Sequence, residues 1–570
     1  MKPRKEVEKI TGYKKIKSPR IFRIRLDLNE NFLGCSPKVV ELFEKSRLLF
    51  PECISCYPVY GLLEQKIAEY HHVNPENILL TNGAQDAVRC IIDTYVERGD
   101  TVVIPSPASP LCENLVILRE GIINPVLYNK DFSFPLPALL HAVREPPKMV
   151  IIANPHDLMG TSMGKNHLTT LLQHKDTIFL VDETYSDFAG VTNVKLVEDF
   201  PNLFVVRSFS ISHGLAGLRL GYVVSDSGNI KDMEKVRLPF SVNTLADMAA
   251  DVSLDEEYVE EVVEKIEQEK EFLDKELLAL GAQTSTTDTN FVLADFGEEC
   301  NRIYQALYER DVLVTNLNDY PLLRGYLRIT VGSRGDNEIL LEELREILSP
   351  EAILFGIGGV LVDECNSYIL AAQKAAEYFL DEGVEFEDIE DWRMMVNYSN
   401  HWEITKVAVG SKEVEVPQEY IIEKFQHLLM GDDFDGLIQN ENLIVDTNVL
   451  KELREDYKLG IVTNRSKKEA LYTLNRFHIK EYFDTVVTGE DVQGKYKPDP
   501  DGIRQALRNL QVNRAVFAGN TYIDIVAAKS AGIVPIVIIP SGYEEWEEIF
   551  EEMDVRHFIK AVDHIQKVLW

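Results

Sequence analysis

The sequence predicts an α/β protein of more than one domain, and three observations support this prediction. Apolar strands alternate with helical segments through the first half of the chain, as in a parallel sheet covered by helices on both faces. Examples of these strands are Thr101–Ile104, Met149–Ala153 and Thr177–Val181. A second series of apolar strands begins abruptly at Ala352. The 570 residues exceed what one core usually holds, which predicts two to four domains.

Composition narrows the classes of partner. The chain has 59 Lys and Arg against 93 Asp and Glu, a net charge of −34, which argues against nucleic-acid and anionic-membrane partners. No stretch is long and apolar enough to span a bilayer, and the basic start is not a secretory signal. Cys53 and Cys56 form a single C-x-x-C pair among seven scattered cysteines. We expect free thiols in a reducing cytoplasm, with a redox motif as the alternative.

Two stretches have the residues that bind phosphate. The segment 206–222 follows an apolar strand and contains serines, glycines and Arg219, and small hydroxyls beside a guanidinium suit a phosphate group. Gly83 follows an earlier strand and precedes Ala84 and Gln85 at a predicted helix start, where backbone N–H groups face an anion. An ordinary glycine-bearing loop is the alternative for both stretches.

Residues 208–222, read Ser-Phe-Ser-Ile-Ser-His-Gly-Leu-Ala-Gly-Leu-Arg-Leu-Gly-Tyr, resemble the cofactor-lysine segment of fold-type I aminotransferases that use pyridoxal phosphate. The nearest resemblance is to the histidinol-phosphate aminotransferase group, and it runs from about Asp27 to Leu348. It implies an aminotransferase fold over 1–349, with a large domain at about 46–250 and a small domain from the N-terminal segment and about 251–349. The family has lysine where this chain has Ile211. Isoleucine can neither form a Schiff base nor move a proton.

The resemblance also implies roles for residues outside that segment. Asp182 would hold the ring nitrogen and Tyr185 the ring hydroxyl. Tyr57 would reach the phosphate of a neighbouring subunit, which implies a homodimer. The remaining implied contacts are the phosphate cradle Gly83, Ala84 and Gln85, the phosphate ligands Ser208 and Arg219, and the substrate clamp Arg328. Ordinary structural roles remain open as alternatives: a helix cap for Asp182, a core aromatic for Tyr57 and a solvated strand end for Arg328.

Two further positions depart from the family pattern. Asp157 stands where the family has an asparagine that contacts the ring hydroxyl, and its charge would repel a phenolate. Pro107 stands where the family usually has an aromatic residue that stacks on the ring. Because residue 211 is an isoleucine, pyridoxal phosphate or pyridoxamine phosphate, if either binds, would bind without a covalent bond.

The second half begins with Phe-Gly-Ile-Gly-Gly-Val-Leu-Val-Asp at 355–363, which resembles the first motif of the haloacid dehalogenase superfamily. Gly356 and Gly358 replace its two aspartates, and glycine cannot attack phosphorus, bind magnesium or protonate a leaving group. The resemblance implies a domain over 350–570, with a core at 350–363 and 443–570 and a helical cap at about 364–442. It also implies phosphate ligands at Thr463, Asn464 and Lys497 and a weakened metal site at Asn520 and Asp524, so that magnesium binding is doubtful.

These replacements predict a tandem pseudoenzyme. It would resemble a fusion of two histidine-biosynthesis steps, an aminotransferase and a phosphatase, and would bind a phosphorylated ligand or a protein partner without turnover. The main alternative is an active enzyme that uses pyridoxamine phosphate or a preformed adduct, with another base such as His213 moving protons. A third possibility is a variant inactivated in order to trap a ligand.

Overall fold

The computed structural model divides the chain into two compact units, Met1–Ile347 and Leu348–Trp570. It describes residues 2–10, 20, 22–46, 50–386, 388, 389, 392, 400–540, 543, 546–553, 555 and 557–569, without the side chains of residues 50, 52 and 53. The side chain of Cys53 and part of the predicted cap therefore lie outside the described residues. Cys56, the other half of the C-x-x-C pair, is exposed.

The first unit is built on a seven-stranded sheet. Its strands are β2 Ile78–Thr81, β3 Thr101–Ser106, β4 Ile122–Leu127, β5 Met149–Ala153, β6 Ile178–Asp182, β7 Leu203–Ser208 and β8 Gly221–Ser225, after a short β1 at Ile24–Arg25. The order is β2-β8-β7-β6-β5-β3-β4. The predicted parallel sheet is confirmed from β7 to β4, whereas β8 runs antiparallel to both neighbours. The segment between β7 and β8 holds only a short 3₁₀ turn and no crossover helix, so the chain returns antiparallel.

Both faces of this sheet are buried, as its nearly continuous apolar strands require. In β3, Val103 packs into the core on one face, while Val102 and Ile104 pack into the core on the other. Helices cover the two faces, and the edge strand β4 is exposed along much of its length. A ligand of this unit is therefore expected at a strand end.

A smaller antiparallel sheet completes the first unit. Its order is β12-β13-β10-β9, while β1 pairs in parallel with β11. The strands are β9 Gln283–Ser285, β10 Phe291–Asp295, β11 Val312–Leu313, β12 Thr315–Asn316 and β13 Tyr326–Thr330. Residues 251–285 are rich in Glu and Lys with apolar residues at helical spacing, which predicts a long helix leading into the small domain, and the structure has a helix at Glu256–Ala279. It ends before Gly281, whose φ is +85°, and the chain then enters β9.

The second unit has a six-stranded parallel sheet in the order β18-β17-β14-β19-β20-β21. The strands of this sheet are β14 Ala352–Phe355, β17 Lys458–Thr463, β18 Thr485–Thr488, β19 Ala515–Gly519, β20 Val534–Ile538 and β21 Phe558–Ile559. Two short strands, β15 Val362–Asp363 and β16 Asn442–Leu443, form a separate antiparallel pair. Between β15 and β16, the described helices Leu370–Leu380, Trp402–Ser411 and Gln418–Met430 surround a separate apolar core that includes Ala371, Ala375, Ile404 and Phe425. The order is that of a Rossmann-like sheet with a helical insertion.

Helices occupy much of the remaining described chain. Their bounds are Lys5–Lys9, Pro37–Lys45, Phe50–Ser55, Leu62–His71, Ala84–Tyr95, Pro110–Leu118, Leu136–Ala142, His167–Leu171, Ser186–Ala189, Ser227–Glu234, Thr244–Ser253, Glu256–Ala279, Cys300–Glu309, Arg334–Leu348, Leu370–Leu380, Trp402–Ser411, Gln418–Met430, Thr447–Asp456, Lys467–Arg476, Asp501–Leu510, Tyr522–Ala531 and Trp546–Glu552. Within the described part of the chain, none of them combines the length and apolar character needed to cross a bilayer.

Candidate functional site

Three loops of the seven-stranded sheet meet at the carboxyl ends of β5, β6 and β7. Ala153 is paired with Asp182 across β5 and β6, and the N–H of Asn154 donates to the carbonyl of Asp182 (2.8 Å). The N–H of Glu183 donates to the carbonyl of Val206 in β7 (2.9 Å). These bonds hold together the loops that contain most of the residues predicted to contact a cofactor. Parallel sheets bind their ligands at this edge.

A cradle for an anion lies at one end of this edge, between Gly83 and Arg219. Gly83 has a φ of +82°, and a Cβ there would lie 2.6 Å from Nη2 of Arg219, so a side chain at residue 83 would displace the guanidinium from this position. Nη1 of Arg219 also donates to Oγ of Ser210 (3.3 Å), and Oγ of Ser208 accepts from the N–H of Ser210 (3.1 Å). The helix Ala84–Tyr95 begins directly after Gly83, and the first N–H groups of a helix have no intrahelical acceptor. A cation, two hydroxyls and a helix N-terminus together fit a phosphate.

The predicted ring contacts lie on the loop after β6. Oδ1 of Asp182 accepts from the N–H (3.0 Å) and the hydroxyl (2.6 Å) of Thr184. Burial raises the pKa of Asp182 from its ordinary 3.8 to about 6, and the nearby charge of Asp157 acts in the same direction. Oη of Tyr185 accepts from Nδ2 of Asn29 (2.7 Å), which fixes the ring of this buried tyrosine. Carboxylate and phenol therefore stand on one loop with fixed orientations.

Asp157 and Arg328 lie beside this loop. Nη1 of Arg328 donates to the backbone carbonyl of Asp157 (2.8 Å), and Nη2 donates to the carbonyl of Asp27 (3.1 Å). The guanidinium also lies over the ring of Phe291, 5.3 Å from its centroid. The predicted clamp is thus tied to the loop that follows β5. Pro107, predicted at the stacking position, is buried, and its carbonyl lies 2.9 Å from Nε2 of His156.

Ile211 is 7% exposed and packs in the core with Phe209 and Leu215. The carbonyl of the next residue, Ser212, accepts from Nδ2 of Asn31 (3.1 Å), which joins this loop to the N-terminal segment. The position that the resemblance assigns to lysine is therefore ordered and apolar. It supplies no amine and no group that could transfer a proton.

His213, the alternative base, belongs to a buried cluster of charged groups. Its Nδ1 lies 3.0 Å from Oγ of Ser212, which donates to Asp187. Asp187 in turn pairs with Arg207. Burial lowers the pKa of His213 to about 4, with the Arg207 charge acting in the same direction, and its ring packs edge-on against Phe209 at 4.8 Å. The imidazole is therefore neutral near pH 7 and serves this cluster.

Tyr57 lies on the surface of the chain, 77% exposed, with its ring 4.5 Å from that of Phe240. The chain segments on either side add further exposed apolar side chains. We call this surface the apolar patch; its members are Ile54, Tyr57, Val59, Leu62, Leu238 and Phe240. Exposed apolar side chains concentrated on two segments that meet at the Tyr57–Phe240 contact are typical of an interaction site.

In the second unit, the carboxyl ends of β14, β17 and β19 meet in the same way. Phe355 is paired with Ile461 and Ala518, so the carboxyl ends of these strands share one edge of the sheet. Gly356 and Asn520 follow β14 and β19 there, and Thr463 is the last residue of β17. Oγ1 of Thr463 accepts from the N–H of Arg465. The side-chain amide of Asn464 is bonded to the backbone N–H and carbonyl of Lys497 (2.8 and 3.1 Å).

Lys497 and Asp524 are paired with each other at this edge. Nζ of Lys497 lies 2.5 Å from Oδ1 of Asp524 and donates to the carbonyl of Val462 (3.2 Å). Oδ2 of Asp524 accepts from the N–H groups of Asn520 and Thr521 and from the hydroxyl of Thr521. Both carboxylate oxygens are therefore engaged. Among the described residues, no group of three or more His, Cys, Asp or Glu side chains could hold a metal ion.

A buried ion-pair cluster fills the space beside Gly358. A Cβ at residue 358 would lie 1.7 Å from Oε2 of Glu364, so this carboxylate stands where a side chain at 358 would begin. Glu364 pairs with Arg465 (3.1 Å), which also pairs with Glu441 (2.7 Å) and lies 4.0 Å over the ring of Tyr368. The space that the side chain of an aspartate at residue 358 would occupy is therefore taken by the carboxylate of Glu364.

Several residues of these sites were not predicted from the sequence. Ser210 lies within the segment that resembles the family, but its contact with Arg219 depends on the left-handed turn at Arg219 (φ +57°). Asn29 meets Tyr185 across 156 residues, and Glu364 meets Arg465 across 101. No local pattern signals such long-range pairs.

Together, the fold and the edge at β5–β7 define an aminotransferase-type scaffold followed by a hydrolase-type domain. Residues 24–344 match the family model for aminotransferase class I and II, so the chain belongs to this family. Residues 353–538 match the model for haloacid dehalogenase-like hydrolase. Both predicted resemblances are confirmed.

Among curated proteins, the first unit is similar to histidinol-phosphate aminotransferases. Histidinol-phosphate aminotransferase 1 of Carboxydothermus hydrogenoformans is 33% identical over 334 residues, which cover 57% of this chain and 93% of that protein. The enzyme of Thermoanaerobacter pseudethanolicus is 30% identical over 349 residues, covering 60% and 98%. The structure of histidinol-phosphate aminotransferase from Sinorhizobium meliloti in complex with pyridoxal 5′-phosphate has a TM-score of 0.53 and 26% identity, covering 57% of this chain and 90% of that one.

Proposed function

We propose that this protein is a tandem pseudoenzyme whose first unit binds a phosphorylated vitamin B6 compound without a covalent bond. The observation that supports this proposal is the Gly83–Arg219 cradle, whose glycine, guanidinium and hydroxyl groups are all present although residue 211 is isoleucine. A bound cofactor of this type would supply an electron sink for amine chemistry. Arg219 and Ser210 would hold its phosphate. Asp182 would accept the ring N–H, while Tyr185 would donate to the ring hydroxyl.

The second unit would contribute binding or scaffolding without hydrolysis. Residue 356 is a glycine with no nucleophile, and Glu364 and Arg465 fill the space beside Gly358. Asp524 has both oxygens engaged, which disfavours a magnesium ion. The apolar patch around Tyr57 supports a homodimer through the first unit.

Gly83→Ala tests the binding proposal. A methyl group at 83 would displace the Arg219 guanidinium and would strain a backbone that only glycine readily adopts. In calorimetric titrations with pyridoxal phosphate, we expect micromolar binding by the natural chain and at least about tenfold weaker binding by the variant. Gly335→Ala is the matched control, because nothing lies within 4 Å of its Cβ. Absence of binding by the natural chain would overturn the proposal.

Turnover assays test the absence of catalysis. The full chain is supplied with pyridoxal phosphate, histidinol phosphate and 2-oxoglutarate, and separately with histidinol phosphate and magnesium. We expect neither glutamate nor inorganic phosphate above the level without protein, because residues 211, 356 and 358 lack the reacting groups. Formation of either product at a catalytic rate would show that the protein is an enzyme.

A further inference from the structure

The residues proposed to contact the cofactor ring differ in charge from those of the family pattern. The inference drawn from this difference rests on the proposed B6-phosphate site. Two carboxylates lie at the ends of adjacent strands, Asp157 on the loop after β5 and Asp182 at the last residue of β6. Where the family pattern has asparagine at 157 and lysine at 211, this chain has an aspartate and an isoleucine. The pocket has therefore gained one negative charge and lost one cationic amine.

His156 does not neutralise Asp157. Its Nδ1 lies 3.7 Å from Oδ1 of Asp157, but the same nitrogen accepts from the N–H groups of Leu158 (3.1 Å) and Met159 (3.2 Å). A nitrogen that accepts two hydrogen bonds carries no proton, so Nε2 holds the ring hydrogen and donates to the carbonyl of Pro107. His156 is 2% exposed, and burial lowers its pKa. The imidazole is thus neutral.

The Asp157 carboxylate is also accessible. Its side chain is 31% exposed, and among the described residues it accepts no hydrogen bond. Arg328, the nearest cation by contact, directs Nη1 and Nη2 to the backbone carbonyls of Asp157 and Asp27 rather than to the carboxylate. The arginine also matches the family pattern, so it does not compensate for the changes at 157 and 211. A ligand at this site meets a carboxylate that accepts no hydrogen bond from the described residues.

We infer that the first unit selects the amine form of a B6 phosphate, a ligand whose own ammonium group pairs with Asp157 and supplies the positive charge that Ile211 lacks. A primary ammonium supplies three hydrogen-bond donors and a positive charge, and both suit a carboxylate that accepts no hydrogen bond from the described residues. An aldehyde at the same ring position supplies neither, and it would face the carboxylate with a second oxygen. Asp157 is therefore a specificity residue of the site.

Two probes of equal size separate this charge effect from general binding. Pyridoxamine 5′-phosphate carries the ammonium group, whereas pyridoxine 5′-phosphate carries a neutral hydroxyl and cannot react with surface lysines. Both are titrated calorimetrically into the full natural chain, Asp157→Asn and Asp176→Asn. The last variant removes the same charge from an exposed position and serves as the control. We expect the natural chain and the control to bind the amine at least about tenfold more tightly than the alcohol.

In Asp157→Asn, the preference is expected to fall to about twofold or less, because the neutral amide no longer attracts the ammonium group. Equal binding of the two probes by the natural chain would overturn the inference while leaving the proposed B6-phosphate site intact. A preference that survives Asp157→Asn would also overturn it. Absence of binding by both probes would instead refute the proposed site itself.

Discussion

At the residue scale, Asp182 carries an energetic cost that a bound ligand would relieve. Burial raises the pKa of this carboxyl from 3.8 to about 6. Between these values the folded chain holds a proton that the unfolded chain has released, so the contribution of Asp182 to stability falls as the pH rises through this window. Above pH 6 the full cost remains. A site that retains such a carboxylate is typical of function rather than of stability.

Asp182→Asn is therefore expected to stabilise the protein without ligand, increasingly as the pH rises. The amide can still accept from Thr184 but carries no charge to desolvate. Relative to the natural chain, its gain in unfolding free energy should increase by about 1 kcal/mol between pH 5 and pH 7.5. Chemical denaturation at the two pH values measures it. A gain that shrinks with rising pH would show that burial does not disfavour the charged form of this carboxyl.

At the element scale, the turn after β14 and the start of the cap are built around one another. Gly358 leaves room for Glu364, and Glu364 balances Arg465, which is buried together with Glu441. Breaking one member of a buried ion pair usually costs about 3–5 kcal/mol, because the other charge remains without its partner. Restoring aspartates at 356 and 358 should therefore not restore a hydrolase.

Gly358→Ala is expected to destabilise the second unit by about 3 kcal/mol, because its Cβ forces Glu364 away from Arg465. Gly356→Ala is the matched comparison, with Val360 Cγ2 as the nearest atom at 3.3 Å, and should cost about 1 kcal/mol. Denaturation of the full chain, monitored by hydrogen exchange in β14 and β17, measures both. In Gly358→Ala/Glu364→Ala the two effects should not add, since the clash is gone. Strict additivity would contradict this coupling.

Secondary-structure elements could be predicted from the sequence more readily than the contacts between them. Apolar strands such as Met149–Ala153 predicted the parallel sheet because their burial on both faces is visible in composition. The antiparallel β8 and the strand at 283–285 were missed, since both depend on how a turn closes. At the sites, glycines and charged residues at 83, 182 and 219 stood out locally, whereas the Glu364–Arg465 pair and the Asn29–Tyr185 bond join distant segments.

At the scale of the whole molecule, the apolar patch and the net charge of −34 have opposite effects on association. The patch presents six apolar side chains, of which Val59 is 87% exposed. Burying them against a second copy stabilises a dimer, because apolar surface is removed from water. The net charge opposes the dimer through repulsion between the two copies, and salt screens this repulsion. We expect the copies to associate, because the free energy gained by burying the apolar patch exceeds the repulsion between charges that are dispersed and screened by salt.

The full chain is accordingly predicted to be a dimer, and Val59→Asp/Leu62→Asp is predicted to be a monomer. Light scattering after gel filtration measures the mass, and Tyr420→Asp, at a 60% exposed tyrosine of the second unit, is the control. If Tyr57 reaches the neighbouring phosphate site, the monomeric variant should also bind pyridoxamine phosphate at least about tenfold less tightly. A natural chain that elutes as a monomer, or a double variant that stays dimeric, would contradict the prediction that the apolar patch forms a dimer interface.

The most direct test of the account restores the missing group. Ile211→Lys is incubated with pyridoxal phosphate, reduced with borohydride and digested, and the peptides are analysed by mass spectrometry. If only the amine is missing from a complete pocket, the variant turns yellow and the reduced adduct lies on Lys at position 211, with no such adduct in the natural chain. A colourless variant, or adducts confined to surface lysines, would contradict the claim that the first unit retains a cofactor pocket.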